Sequence, residues 1–106
     1  MFVIERGKAI TEEEIEMREV KIYQTNNRDY VFMNWEWSEK YFDINDYELV
    51  LNVNLEVEDL EEIFRLGNNG ELKKYNYYMR SISVSDIIEV DGKKYFVDSF
   101  GFKEVD

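Results

Sequence analysis

Apolar and polar residues alternate over 19–24 (Glu-Val-Lys-Ile-Tyr-Gln), the period-two pattern of a half-buried strand. The alternation returns from Tyr47 to Leu55, which assigns Tyr47, Leu49, Leu51, Val53 and Leu55 to one side of a second strand. Between them, Tyr30-Val31-Phe32-Met33 suits a buried strand or the entry to a helix. Trp35, Glu39 and Phe42 stand about a turn apart, so residues 35–42 read as a short helix, although the period there does not separate helix from strand. Asn26-Asn27 marks a turn and Asp43-Ile44-Asn45-Asp46 a loop. Over 57–66 the period changes: Val57, Leu60, Ile63, Phe64 and Leu66 fall at helical spacing. Glu58 and Asp59 would lie in the first turn, where the helix dipole favours anions. Gly67-Asn68-Asn69-Gly70 would end that helix with residues that accept left-handed geometry. Residues 71–80, with Tyr75, Tyr77 and Tyr78, show no clear period. Ile87–Val90 and Lys94–Val97 read as strands joined by an Asp91-Gly92 hairpin turn, and a last short strand ends near Val105. Upstream, residues 2–5 predict a short strand ended by Gly7, and Thr11 with Glu14 predicts a short acidic helix opened by a capping box. The expected fold is α+β: a single compact domain over 1–106, mainly antiparallel sheet with two or three short helices.

Composition narrows the chemistry. The chain has 106 residues, no cysteine, no histidine and no proline. Without cysteine there are no disulfides, zinc–thiolate sites or thiol nucleophiles. Without histidine the commonest general base and metal ligand is missing. Seventeen aromatic side chains supply a sizeable core despite the high charge. No apolar run approaches the roughly 20 residues of a membrane span and no signal peptide opens the chain, so a cytoplasmic location is the expectation.

Charge speaks of partners. The formal net charge is −11, and residues 1–66 hold 17 of the 24 acidic groups against seven basic ones. Two foci stand out: Glu12, Glu13, Glu14, Glu16 and Glu19, relieved by Arg18, and Glu56, Glu58, Asp59, Glu61 and Glu62. A surface of this sign is repelled by nucleic acid and anionic membrane and attracted to basic grooves. Simple solubility explains the same charge without any partner.

Two segments carry a family likeness. One is Met79-Arg80-Ser81-Ile82-Ser83-Val84-Ser85-Asp86-Ile87-Ile88, and the other is Tyr95-Phe96-Val97-Asp98-Ser99-Phe100-Gly101-Phe102 continuing through Lys103, Glu104 and Val105. Together they resemble the YodL-like domain of bacterial mobile-element proteins, over roughly residues 20–106. Tyr47–Val50 and Leu60–Phe64 are similar to that family's strand and helix, whereas Leu66–Arg80 departs from its pattern. The resemblance implies a fold and a setting in plasmids, phages and conjugative elements; it brings no catalytic residues. Read physically, Ser81, Ser83 and Ser85 would share one side of an extended segment, and Ser85 and Asp86 would cap backbone groups. Asp98-Ser99-Phe100-Gly101 reads as a turn or bulge.

Catalytic constellations fare poorly. Asp86, Glu89, Asp91 and Lys93 come nearest to a metal-dependent nuclease set, yet Asp91 falls in a turn. Asp43-x-Asn45-Asp46 lacks the glycine and glutamate of a calcium loop. No phosphate-binding glycine loop and no nucleophile elbow occur. The expectation is a protein without enzymatic activity, cofactor or metal. It would present Glu12, Glu13, Glu14, Glu16, Glu58, Asp59, Glu61 and Glu62 to the basic nucleic-acid groove of a defence enzyme, of CRISPR effector or restriction type. The alternative is an interaction module of plasmid or phage maintenance, acting through Trp35, Trp37, Tyr75, Tyr77 and Tyr78.

Overall fold

The computed structural model describes residues 17–105. Its strands are β1 (Met17–Thr25), β2 (Tyr47–Glu56), β3 (Ile87–Val90), β4 (Lys93–Val97) and β5 (Phe102–Val105). They form one antiparallel sheet in the order β2-β1-β3-β4-β5. Two α-helices, α1 (Trp35–Ser38) and α2 (Leu60–Asn68), and two 3-10 turns, at Ile44–Asp46 and Glu71–Lys74, complete the α+β architecture. The strand expected at 2–5, the helix expected from Thr11 and the first acidic focus up to Glu16 lie outside the described residues.

Each face of the sheet has its own core. On one, Leu60, Ile63 and Phe64 of α2 pack against Val20, Ile22, Leu51, Leu55 and Ile88, with Leu72, Met79 and Ile82 completing the layer. The other is aromatic: Trp35, Phe42 and Tyr47 close over Ile87 and Phe96. The Trp35 ring lies 5.0 Å from Phe96 and 5.4 Å from Phe42, in edge-to-face contacts. Towards the β3–β4 turn this second face becomes polar, with the Tyr23 hydroxyl donating to Glu89 at 2.7 Å. Burial, seconded by that hydrogen bond, raises the Tyr23 phenol to about 12.

The alternation of β2 is interrupted. Ile22 pairs with Leu51 but Tyr23 pairs with Leu49, so Val50 is an extra residue in the ladder. A bulge of this kind exchanges the faces on either side of it. Leu51 and Leu55 therefore stay in the α2 core, while Tyr47 joins the aromatic core and Leu49 is left exposed. The five residues do not share a side as their spacing predicts.

Other boundaries also shift. Residues 30–33 form neither strand nor helix, because the Tyr30 and Val31 amides bond back to Asn27 O and Phe32 takes a positive φ of 68°. Only Tyr30 of that run is fully buried. The helix expected over 35–42 stops at Ser38, whose buried hydroxyl donates to Met33 O at 3.1 Å and diverts the chain into a turn. That turn folds Phe42 back onto Trp35. Asp91 and Gly92 both have positive φ, 51° and 90°, as a tight two-residue hairpin requires.

Candidate functional site

The second acidic focus sits where β2 runs into α2. The helix starts at Leu60, so Glu58 and Asp59 precede it and do not form its first turn. Asp59 is the N-cap, and its Oδ1 accepts from the Glu62 amide at 2.9 Å. Glu62 reaches back to accept from the Glu58 amide at 2.8 Å and pairs with Arg65 at 3.9 Å. Backbone groups left open at the helix start thus draw two carboxylates together. Chain continuity adds Glu56 and Glu58 beside them, and Glu61 projects from the same turn. Glu56, Glu58, Asp59, Glu61 and Glu62 line one open depression of about 870 Å³, joined by Val57, Phe64, Asn68 and Asn69, with Arg65 the one basic residue among the described residues that line it.

The structure therefore brings Glu58, Asp59, Glu61 and Glu62 together and adds Glu56. That residue was visible in the acidic run. Its membership depends on β2 ending beside the helix start. Asp59 and Glu62 have a structural task as well as a charge; Glu58 and Glu61 are exposed. Glu12, Glu13, Glu14 and Glu16 lie outside the described residues.

The Arg80–Asp86 segment lies at the opposite end of β1. Asp86 is fully buried, and its Oδ2 accepts from Gln24 Nε2 and the Ser83 amide, both at 3.0 Å. Its Oδ1 faces Arg80 Nη1 at 3.8 Å, beyond hydrogen-bond range. Burial raises the Asp86 carboxyl to about 6, against the lowering influence of the Ser83 amide, Gln24 and Arg80. Gln24 exchanges two bonds with the Arg80 backbone, and Arg80 Nη2 donates to Thr25 O at 2.7 Å. Ser85, at φ 83°, accepts from the Phe32 amide through its hydroxyl and from Tyr47 OH through its carbonyl. Asp98 Oδ1 accepts from the Trp35 amide at 3.0 Å. These polar residues fasten loops to the sheet. The three serines do not line one side: Ser81 is exposed, and the turn at Ser85 carries that hydroxyl inward.

Carboxylates considered for metal chemistry are kept apart. Asp91 pairs with Arg18 and accepts from the Glu19 amide, while Glu89 lies against Tyr23, Lys21 and Lys94. Among the described residues no three acidic side chains converge in a metal-binding arrangement. The aromatic set divides as well. Trp35 belongs to the core, a correction to its place on the alternative contact surface. Trp37, Tyr75, Tyr77 and Tyr78 are exposed, joined by Phe32 and Phe100. Phe32 lies in a run that reads as a buried strand, and nothing in the turn at Asp98–Gly101 signals that Phe100 is exposed.

The YodL-like domain family matches residues 17–106. The chain belongs to the YodL-like family. No curated protein and no solved structure gave a significant match. The matched region holds every described strand and helix, so the YodL-like domain is the whole sheet with both its cores. Its two most distinctive segments, Arg80–Asp86 and Asp98–Phe102, fasten loops to the sheet, and both also touch helix α2: Asn68 Nδ2 donates to Ile82 O at 3.0 Å, and the Phe102 ring packs 6.5 Å from Phe64. Among the described residues no helix is long and apolar enough to cross a membrane.

Proposed function

We propose that this YodL-like chain is a non-enzymatic binding protein that presents carboxylates to the basic nucleic-acid groove of another protein. The observation that carries the reading is the open depression lined by Glu56, Glu58, Asp59, Glu61 and Glu62, with Arg65 the single basic residue among the described ones that line it. Fixed carboxylates on a capped helix start offer a basic groove what a run of phosphates offers it, and occupy it in place of substrate. With a formal net charge of −11, the whole molecule adds long-range steering to the local contact. The partner would be a host defence enzyme, a CRISPR effector nuclease or a restriction enzyme, and the chain an inhibitor carried by a phage or plasmid and acting in the bacterial cytoplasm.

Competition with nucleic acid for such an enzyme, followed as salt rises, tests this. Affinity should fall steeply with ionic strength. Glu58→Lys with Glu61→Lys should weaken competition by roughly tenfold or more, about 1.4 kcal/mol for each tenfold. Affinity indifferent to both salt and reversal contradicts the proposal.

A second reading has its own observation. Tyr77, Tyr78 and Phe100 are 76%, 90% and 95% exposed, more than packing within this chain explains. An interaction module of plasmid or phage maintenance that binds through these rings would hold its affinity as salt rises, and would lose it on Tyr78→Ser or Phe100→Ser.

A further inference from the structure

The outer edge of β2 continues directly into the acidic depression. β2 has ten residues and, among the described residues, pairs on one side only, with β1. From Leu51 to Glu56 that pairing is regular, so the opposite edge offers an unbroken row of backbone donors and acceptors. Proteins usually guard such an edge with lysine, proline, a bulge or a short strand. The other edge strand, β5, is four residues long and carries Lys103. In β2 the bulge at Val50 and the Asn76 Nδ2 bond to Val50 O at 2.8 Å blunt only the first half. The second half has no lysine, arginine or proline; its exposed side chains are Asn52, Asn54 and Glu56. Glu56 also lines the depression with Glu58, Asp59, Glu61 and Glu62.

We infer that residues 51–56 accept an extended basic segment of the partner as an added antiparallel or parallel strand, whose lysines or arginines then reach the depression. The inference rests on the carboxylate-display reading and supplies its docking mode. Backbone pairing would fix the position and the acidic cluster the sign, a division of labour common to strand addition. A second copy of this chain is a poor occupant. Pairing two β2 edges would bring together two molecules that each carry a formal net charge of −11 and an acidic depression at the end of that edge, and like charges repel.

The probe is a short peptide alternating lysine and threonine, with two copies N-methylated at alternate amides in opposite phase. An edge strand pairs through one side of its guest, so one methylated copy should bind at least tenfold more weakly and the other should match the parent. Backbone amide signals of Leu51–Glu56 should shift on binding. Asn54→Lys adds an ammonium opposite Glu19 of β1, should keep the amide spectrum of the native fold, and should weaken the parent peptide at least tenfold. Two methylated copies that bind alike, or shifts confined to residues 58–62, overturn strand addition while leaving carboxylate display standing. Phase-selective binding that survives Glu58→Lys with Glu61→Lys keeps strand addition and removes the display reading. Dimerisation of the chain through β2 without peptide also overturns the inference.

Discussion

Asp86 shows what a single buried carboxylate does to this molecule. Its folded-state value of about 6 lies above the ordinary 3.8. The folded state therefore binds its proton more tightly than the unfolded state does. The resulting stabilisation is complete below about 3.8 and is lost as pH rises through about 6. Stability of the native chain relative to Asp86→Asn should accordingly fall across that interval, read from urea unfolding at a series of pH values. A difference that stays flat contradicts the burial argument. Arg80→Ala should be destabilising by about 2–3 kcal/mol, at or under the low end for a fully buried pair because Arg80 is a third exposed. The capping role of Ser85 and Asp86 was legible from residue type, since short polar side chains before a strand bond to nearby backbone. The bonds that lock them in place were not. Gln24, Phe32 and Tyr47 are each far away in sequence, and a period-two or period-3.6 pattern carries no information about such partners.

Helix α2 carries the acidic cluster at its start and packs against the Ile82 segment near its end. Asp59→Ala removes its N-cap and should cost about 1 kcal/mol in urea unfolding. Gly67 lies inside the helix, where its missing Cβ makes room for the buried Ile82 side chain, and the Ile82 amide donates to Gly67 O at 3.1 Å. Gly67→Ala gains about 1 kcal/mol in helix propensity and forces overpacking of about 1–3 kcal/mol. The net expectation is a loss, since Ile82 is fully enclosed; a more stable variant would show that the core yields at that point. The sequence pattern found this helix but misplaced its ends. Val57 has an apolar side chain at helical spacing, yet Asp59 takes extended backbone as cap and the chain turns helical only at Leu60. Gly67 reads as a terminator for the same reason: the pattern shows a flexible residue and hides the isoleucine that needs the space. The β3–β4 hairpin was legible nearly residue by residue, because Asp91-Gly92 fixes its own turn. The bulge in β2 was not, as nothing local distinguishes Val50 from its alternating neighbours.

At the scale of the whole molecule, helix α2 links the acidic depression to the loops fastened at the other end of β1. The Arg80–Asp86 and Asp98–Phe102 segments fasten loops to the sheet, and the carboxylates of Glu56 to Glu62 gather where β2 meets α2. The second acidic focus was legible because neighbours in sequence stay neighbours around a helix start. Its continuity with a sheet edge that is unpaired among the described residues needed the strand order. The central claim is that negative charge held at this place engages a positive groove. Its most direct test leaves Asp59 and Glu62 native, so the cap persists, and reverses Glu58 and Glu61 to lysine. Both proteins are then titrated, at several salt concentrations, against a CRISPR effector or restriction enzyme holding labelled nucleic acid. The native chain should displace the nucleic acid at low salt, progressively less as salt rises, and the reversed chain should displace it at least tenfold less well. Displacement that is equal for the two proteins and unchanged by salt would contradict the claim.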